Sequence, residues 1–176
     1  MRPFKYLACD DIDLISVKIY NYVSSLSNWF PHFVGQRYLD NLDVIETNPE
    51  LKQLLKQHNL VAKSAFYAHH RSTGQVHVDG AADIRIFLPI LRTHNTALTH
   101  FYELENVTKT QLTKNGGNYF KLDFTDKKII DTYELTQPLV ADTSIPHQVI
   151  FQKKMTMPRM SLSIHLTRQP TELLAD

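Results

Sequence analysis

The sequence predicts an α+β chain, mainly β, in which N-terminal helices pack on a β-sandwich or jelly roll. Three observations predict it. The first sixty residues hold two stretches with apolar residues at helical spacing. From residue 61 the pattern changes to short segments rich in β-branched and aromatic residues, divided by turn-formers. At 176 residues, 43% apolar and 21% charged, the chain has the size and composition of one globular domain with a sizeable core. Helices first and strands afterwards is the order of an α+β fold. We expect a single domain over 1–176, helical over 1–60, with a β core over 61–168 and a tail over 169–176.

Residues 3–8 read as a first strand. From Asp10 to about Leu26 apolar residues recur near helical spacing (Ile12, Leu14, Ile15, Ile19, Tyr22, Val23, Leu26), and Asp10 or Asp11 offers an N-cap. Residues 28–45 are aromatic and irregular. Asn48 and Pro49 then open a second helix over PELKQLLKQHN, since Asn caps well and Pro suits the first turn. The segments VAKSAFYAHH, QVHVDG, ADIRIFLPIL, ALTHFYEL, NYFKLDF, KKIIDTYEL, PLVAD, HQVIFQ and RMSLSIHL read as strands. Turn-formers divide them, such as Ser72-Thr73-Gly74 and Asn115-Gly116-Gly117-Asn118.

Composition excludes several classes. A net charge of +1 provides no strong field for nucleic acid or an anionic membrane. One cysteine, Cys9, allows neither an internal disulfide nor a cysteine-rich metal site. Acidic residues at 10, 11 and 13 stand where a signal peptide needs an apolar run, and no apolar stretch approaches the ~20 residues of a membrane span. The expectation is a cytoplasmic protein with no membrane partner. No phosphate-binding glycine loop, HExxH or Gly-x-Ser-x-Gly motif is present.

The chemistry-bearing pattern starts at Val76-His77-Val78-Asp79-Gly80. Residues two apart in a strand share a face, so His77 and Asp79 project together. An imidazole beside a carboxylate is half of a metal site, although His-x-Asp also arises by chance. Ile145-Pro146-His147-Gln148-Val149 offers a third ligand, far enough along for strands to bring it back. Two His and one carboxylate on one face of a metal form the facial triad of non-haem iron(II) oxygenases, with positions left open. Further on, Arg159, Ser161, Ser163 and His165 alternate with Met160, Leu162, Ile164 and Leu166. Arg159 and Ser161 could hold a dicarboxylate through a guanidinium fork and a hydroxyl. Taken alone, the same alternation reads as a solvent-facing polar stripe on an antiparallel sheet.

The order His77-x-Asp79, His147, Arg159-x-Ser161 resembles the iron(II)/2-oxoglutarate-dependent oxygenase superfamily. It is most similar to the aspartyl/asparaginyl β-hydroxylase-like group, which includes proline hydroxylases. Asp142-Thr143-Ser144-Ile145-Pro146-His147-Gln148-Val149 resembles that group's Asp-x-Ser-x-x-His-x-Val segment. His77-Val78-Asp79 followed by Arg85-Ile86-Phe87-Leu88-Pro89-Ile90 resembles its first-ligand strand and the next. The likeness spans about 61–168. It implies a double-stranded β-helix (jelly roll, cupin-like), iron(II) held by His77, Asp79 and His147, and 2-oxoglutarate paired with Arg159 and Ser161. The implied activity is a dioxygenase that hydroxylates an amino acid or a peptide residue, while 2-oxoglutarate loses CO₂ and becomes succinate.

Other residues have two readings each. Arg85 could bind a substrate carboxylate or assist the co-substrate, or form a surface ion pair. His100 and Tyr102 share a strand face and could reach the co-substrate, or pack in the core. His165 could line the deep end of the pocket or be structural. His69 and His70 point to opposite faces and make a poor joint metal site. His32, His58 and His94 read as surface or loop residues. Trp29, Phe30, Phe33 and Tyr38 could cover a pocket mouth or join helix to sheet. Two other functions compete: a cupin-type metalloprotein without 2-oxoglutarate, and a non-catalytic β-sandwich binding module. The partner expected is a small-molecule or peptide substrate, and near-neutral charge argues against nucleic acid.

Overall fold

Helix α1 (Ile12–Ser25) turns Ile12, Ile15, Ile19 and Val23 inward, the apolar stripe that its sequence carries. Asp11 stands at its N-cap position without a side-chain cap. Helix α2 (Asp43–Glu46) is a single turn. Helix α3 (Pro49–Gln57) starts as its sequence predicts, with Pro49 in the first turn and Asn48 accepting from the Leu51 N–H at 3.1 Å. Lys18 on α1 pairs with Glu50 on α3 at 2.6 Å.

The structure, a computed structural model, describes residues 2–30, 34–39, 41–79, 83–103, 108–114, 117–123 and 128–175, and for 108–114 and 117–123 the backbone. His32, Phe33, Gly80 and the turn at Asn115-Gly116 lie outside the described residues. Twelve strands follow in chain order: β1 (Phe4–Tyr6), β2 (Gly35–Tyr38), β3 (Ala62–His70), β4 (His77–Val78), β5 (Ile84–Leu91), β6 (Ala97–Tyr102), β7 (Thr108–Lys114), β8 (Gly117–Asp123), β9 (Ile129–Glu134), β10 (Leu139–Asp142), β11 (His147–Phe151) and β12 (Arg159–Leu166). They form two six-stranded sheets, β1-β10-β5-β12-β3-β2 and β7-β8-β4-β11-β6-β9, antiparallel throughout. The chain is thus mainly β with a few helices, as its sequence predicts.

Two differences from expectation concern the N-terminal third and residues 108–114. Strand β1 falls within the strand expected over residues 3–8, whereas β2 is an addition to the helical N-terminal part; the two close the edges of the first sheet. Strand β2 lies within the irregular stretch, and β7 lies where no strand is expected. Four residues are too few to show alternation; β2 forms because β3 offers it a partner along Gly35↔His69 to Tyr38↔Phe66. The end of the chain is docked: Leu174 is buried, and its carbonyl accepts from the Arg2 N–H at 3.0 Å.

The first sheet is buried on both faces. Ile84, Ile86, Leu88 and Ile90 of β5 and Met160, Leu162, Ile164 and Leu166 of β12 share one core with the inner residues of α1 and α3. The opposite face looks at the second sheet, where Phe101, Tyr133, Leu135, Leu139 and Ala141 form a second core with Phe4 and Phe87. Pro89 is tolerated in β5 because β10 has ended by Phe87, and the pairing with β12 shifts register between Met160 and Ser161. Among the described residues no helix is long and apolar enough to cross a membrane.

Candidate metal centre

The polar row on β12 faces inward, not toward solvent. Helices cover the apolar row, so Arg159, Ser161 and Ser163 are left facing the space between the sheets, 3%, 5% and 1% exposed. The solvent-facing reading of this alternation is therefore corrected: the sheet has helices on one side and a second sheet on the other, so the row from Arg159 to Ser163 looks inward. His165, last in the row, is half-buried against Phe66 and Tyr38.

His77 and His147 are direct partners across the β4–β11 pair, with ring centroids 4.4 Å apart. Asp79 follows β4, where its N–H donates to the Thr143 carbonyl at 2.9 Å. One ligand atom from each of His77, Asp79 and His147 lies within 4.8 Å of the other two. The ring tautomers follow from the backbone. Nδ1 of His77 lies 2.8 Å from the Gln75 carbonyl, and Nδ1 of His147 lies 2.9 Å from the Ile145 carbonyl. A carbonyl only accepts, so both Nδ1 atoms carry the proton. In neutral rings this leaves both Nε2 lone pairs facing the carboxylate.

Asp79 completes the donor set. Its Oδ2 accepts from Arg85 Nη1 at 2.7 Å, whereas Oδ1 is buried without a hydrogen-bond partner among the described residues, 3.4 Å from His77 Nε2. With both rings neutral, three lone-pair donors converge with no proton between them, an arrangement that suits a cation. Imidazole and carboxylate together suit a divalent transition-metal ion. Burial opposes ionisation of Asp79, but the neighbouring His147, Arg85 and His77 outweigh it and hold its carboxyl below the usual range. Burial, reinforced by His77, pushes the His147 imidazole down to about 4, which keeps it a neutral ligand at neutral pH.

Arg85 is neither a surface ion pair nor a free cation aimed at a ligand. It is buried, donates to Asp79, and also grips Asp83 through Nη2 and, at 2.7 Å, through Nε. Its guanidinium lies 5.6 Å from the Phe66 ring centre.

One cavity joins the ligands to β12. His77, Asp79 and His147 line it together with Arg159, Ser161 and Ser163. Arg159 Nε is buried there with no hydrogen-bond partner among the described residues, and burial lowers the guanidinium's pKa. His100 and Tyr102 point elsewhere. In the β6–β11 register Phe101 opposes His147 and Thr99 opposes Val149, so Thr99 and Phe101 share the face of His147. His100 and Tyr102 share the other face, where Tyr102 donates to Gln148 at 2.9 Å and His100 Nδ1 lies 2.7 Å from Thr132 Oγ1. The even-numbered pair stands out on residue type; parity in the strand assigns the inner face to its odd-numbered neighbours.

Comparison with known proteins adds fold information alone. No family model matches the chain, and no curated protein matches it. Among solved structures it is similar to AviO1 from Streptomyces viridochromogenes Tue57, with a TM-score of 0.50 and 10% identity, over 96% of this chain and 92% of that one. At that identity the likeness is one of fold.

Residues not singled out in the sequence as pocket residues line the same cavity. Tyr133 and Thr99 do so opposite each other on β9 and β6, and His70 does so from β3. Burial raises the Tyr133 phenol's pKa. The signal for Tyr133 is its position in a strand of alternating character, IIDTYE, which does not say which row is inside. The expected opposite facing of His69 and His70 holds: His69 packs against Trp29 and Tyr67, while His70 looks into the cavity. Trp29 thus joins helix to sheet, whereas Phe30 and Tyr38 are exposed.

Proposed function

We propose that the protein is an iron(II)- and 2-oxoglutarate-dependent dioxygenase that hydroxylates an amino acid or a residue in a peptide. The observation that carries this reading is the pairing of two features in one cavity. The His77–Asp79–His147 donor set stands at one place, and the buried Arg159 guanidinium, its Nε without a partner among the described residues, stands at another. A metal site alone would fit many enzymes. A buried cation facing the same space needs an anion, and a dicarboxylate spans the two. The interleaved strand order, with β4 and β11 as neighbours in one sheet and β5, β12 and β3 in the other, supports reading the fold as a double-stranded β-helix.

Iron(II), when bound, would hold the co-substrate and O₂ and activate the O₂, which is the oxidant: one oxygen atom would enter the succinate formed as 2-oxoglutarate loses CO₂, and the other the hydroxylated product. The chain's own residues orient and exclude. His77 and His147 present Nε2, fixed by their backbone hydrogen bonds, and Asp79 presents Oδ1, fixed by Arg85 on Oδ2. Arg159 binds the far carboxylate, and Ser161, on the same row two residues on, adds a hydrogen bond. Phe66, Phe87 and Leu135 keep the cavity walls apolar and limit water beside the reacting groups.

The test is anaerobic titration of 2-oxoglutarate into the iron(II)-loaded protein, following the visible charge-transfer band of the chelate. A band that appears, and is absent from His77→Ala, supports the reading. Folded, metal-loaded protein with no band would sink it. Retained metal without a band would favour a cupin-type metalloprotein, and failure to bind metal a non-catalytic module.

A further inference from the structure

His70 and Arg159 are direct partners in the β3–β12 register, and both side chains enter the cavity that the metal-ligand residues line. Among the described residues, Arg159 Nε and His70 Nδ1 are both buried without hydrogen-bond partners. Two adjacent strands thus direct two unsatisfied groups into one space. Leaving a buried donor unpaired is costly, so a site with two such groups side by side is matched to a ligand that accepts from both. Arg159 is a permanent cation, so the ligand group is an anion. A carboxylate has two oxygens and can accept from a guanidinium and an imidazole together.

We propose that His70 is a binding residue for the co-substrate: protonated at Nδ1, it donates to the same distal carboxylate that Arg159 holds. This inference rests on the 2-oxoglutarate reading above and deepens it. His70 sits across from Arg159 rather than on the β4–β11 pair that carries the ligands. That position assigns it to the carboxylate far from the metal, not to the 2-oxo acid end. The imidazole makes the subsite selective for a 2-oxo acid that carries a second carboxylate at the right distance.

The test compares two 2-oxo acids on the iron(II)-loaded protein under anaerobic conditions, each followed by its charge-transfer band. One is 2-oxoglutarate; the other is 2-oxobutanoate, which lacks the distal carboxylate. Loss of one hydrogen bond to a charged group corresponds to about a tenfold or greater loss of affinity. His70→Leu should therefore weaken 2-oxoglutarate at least about tenfold and leave 2-oxobutanoate unchanged. His70→Asn, whose amide N–H can occupy the place of Nδ1–H, should restore most of the affinity. It also serves if the leucine variant fails to fold. Unchanged 2-oxoglutarate affinity in His70→Leu would overturn the proposal while the wild-type band kept the oxygenase reading intact. Equal weakening of both acids in either variant would also overturn it, by assigning His70 to the 2-oxo end. Absence of any band in the wild-type protein would remove both readings together.

Discussion

Arg85 holds Asp79 by one oxygen only. Its Nη1 donates to Oδ2 at 2.7 Å, and Oδ1 stays turned toward His77 and His147. Both side chains are buried, and Arg85 is itself fixed by Asp83. The guanidinium thus divides the carboxylate into one oxygen for the protein and one for a metal.

Removing this partner should be costly. Arg85→Met leaves a buried carboxylate facing the two imidazoles with no fixed cation, a loss of about 3–5 kcal/mol in the metal-free protein. A divalent metal would supply the missing positive charge. Thermal melts with and without metal should therefore show a larger metal-dependent rise in Tm for this variant than for wild type. An equal rise would mean that Asp79 does not face the metal.

The two imidazole ligands make a simpler case. His77→Ala and His147→Ala should abolish binding of iron(II), or of cobalt(II) as a spectroscopic substitute, while far-UV circular dichroism stays native. Chelator should lower the Tm of metal-loaded wild-type protein and leave both variants unmoved.

Arg159→Ala should weaken 2-oxoglutarate binding by about two orders of magnitude and leave metal affinity unchanged. Arg159→Lys should recover only some of it, since an ammonium lacks the planar fork. Metal affinity is read by competition with a chromophoric chelator, and co-substrate affinity by the charge-transfer band. Tyr102→Phe is the contrasting variant: it removes the bond to Gln148 on the outer face, should cost about 1 kcal/mol in stability, and should change neither affinity.

Acid should destabilise the metal-free protein. Burial holds both His147 and His70 near a pKa of about 4 in the folded state, against 6.5 for a free imidazole. Below pH 6.5 the unfolded chain takes up protons that the folded chain refuses, so stability falls as pH drops from about 6.5 toward 4. By pH 5 the loss is about 2 kcal/mol for each imidazole. Asp79 adds to this at lower pH: its folded carboxyl is held below the usual range, and its contribution is lost as pH falls through that depressed value. Urea unfolding at pH 7 and pH 5 measures the difference, and His147→Gln should remove one share of it.

The site is legible in the sequence as far as residue type and order carry it. His77, Asp79 and His147 stand out because a two-residue step on a strand and one distant imidazole are visible in one dimension, and the structure brings the three together. Arg159 and Ser161 stand out as a row, but the row's direction depends on where the helices pack. Helices on the apolar face turn a pattern that looks solvent-facing into a cavity wall. His100 and Tyr102 are attractive as residue types, and the strand's parity, one residue out of step, decides against them. His70 is hidden in a pair of adjacent histidines that makes a poor joint metal site, although each ring has its own side of the sheet. Strand β2 is hidden by its shortness, whereas β1 falls within the strand expected over residues 3–8; the two complete the edges of the first sheet.

Strand β4 consists of His77 and Val78 alone, and meets β11 at a single rung, His77 opposite His147. A metal bound there ties together two points about 70 residues apart in the chain. An ion that binds the folded arrangement and not the unfolded chain stabilises the fold by mass action, the more so the further its concentration exceeds its dissociation constant. The ion would then act as a clasp as well as a reagent. Amide hydrogens of β4 and of the segment from Arg71 to Val76 should exchange more slowly with metal bound than without it, so that metal loading tightens the part of the sheet nearest the chemistry.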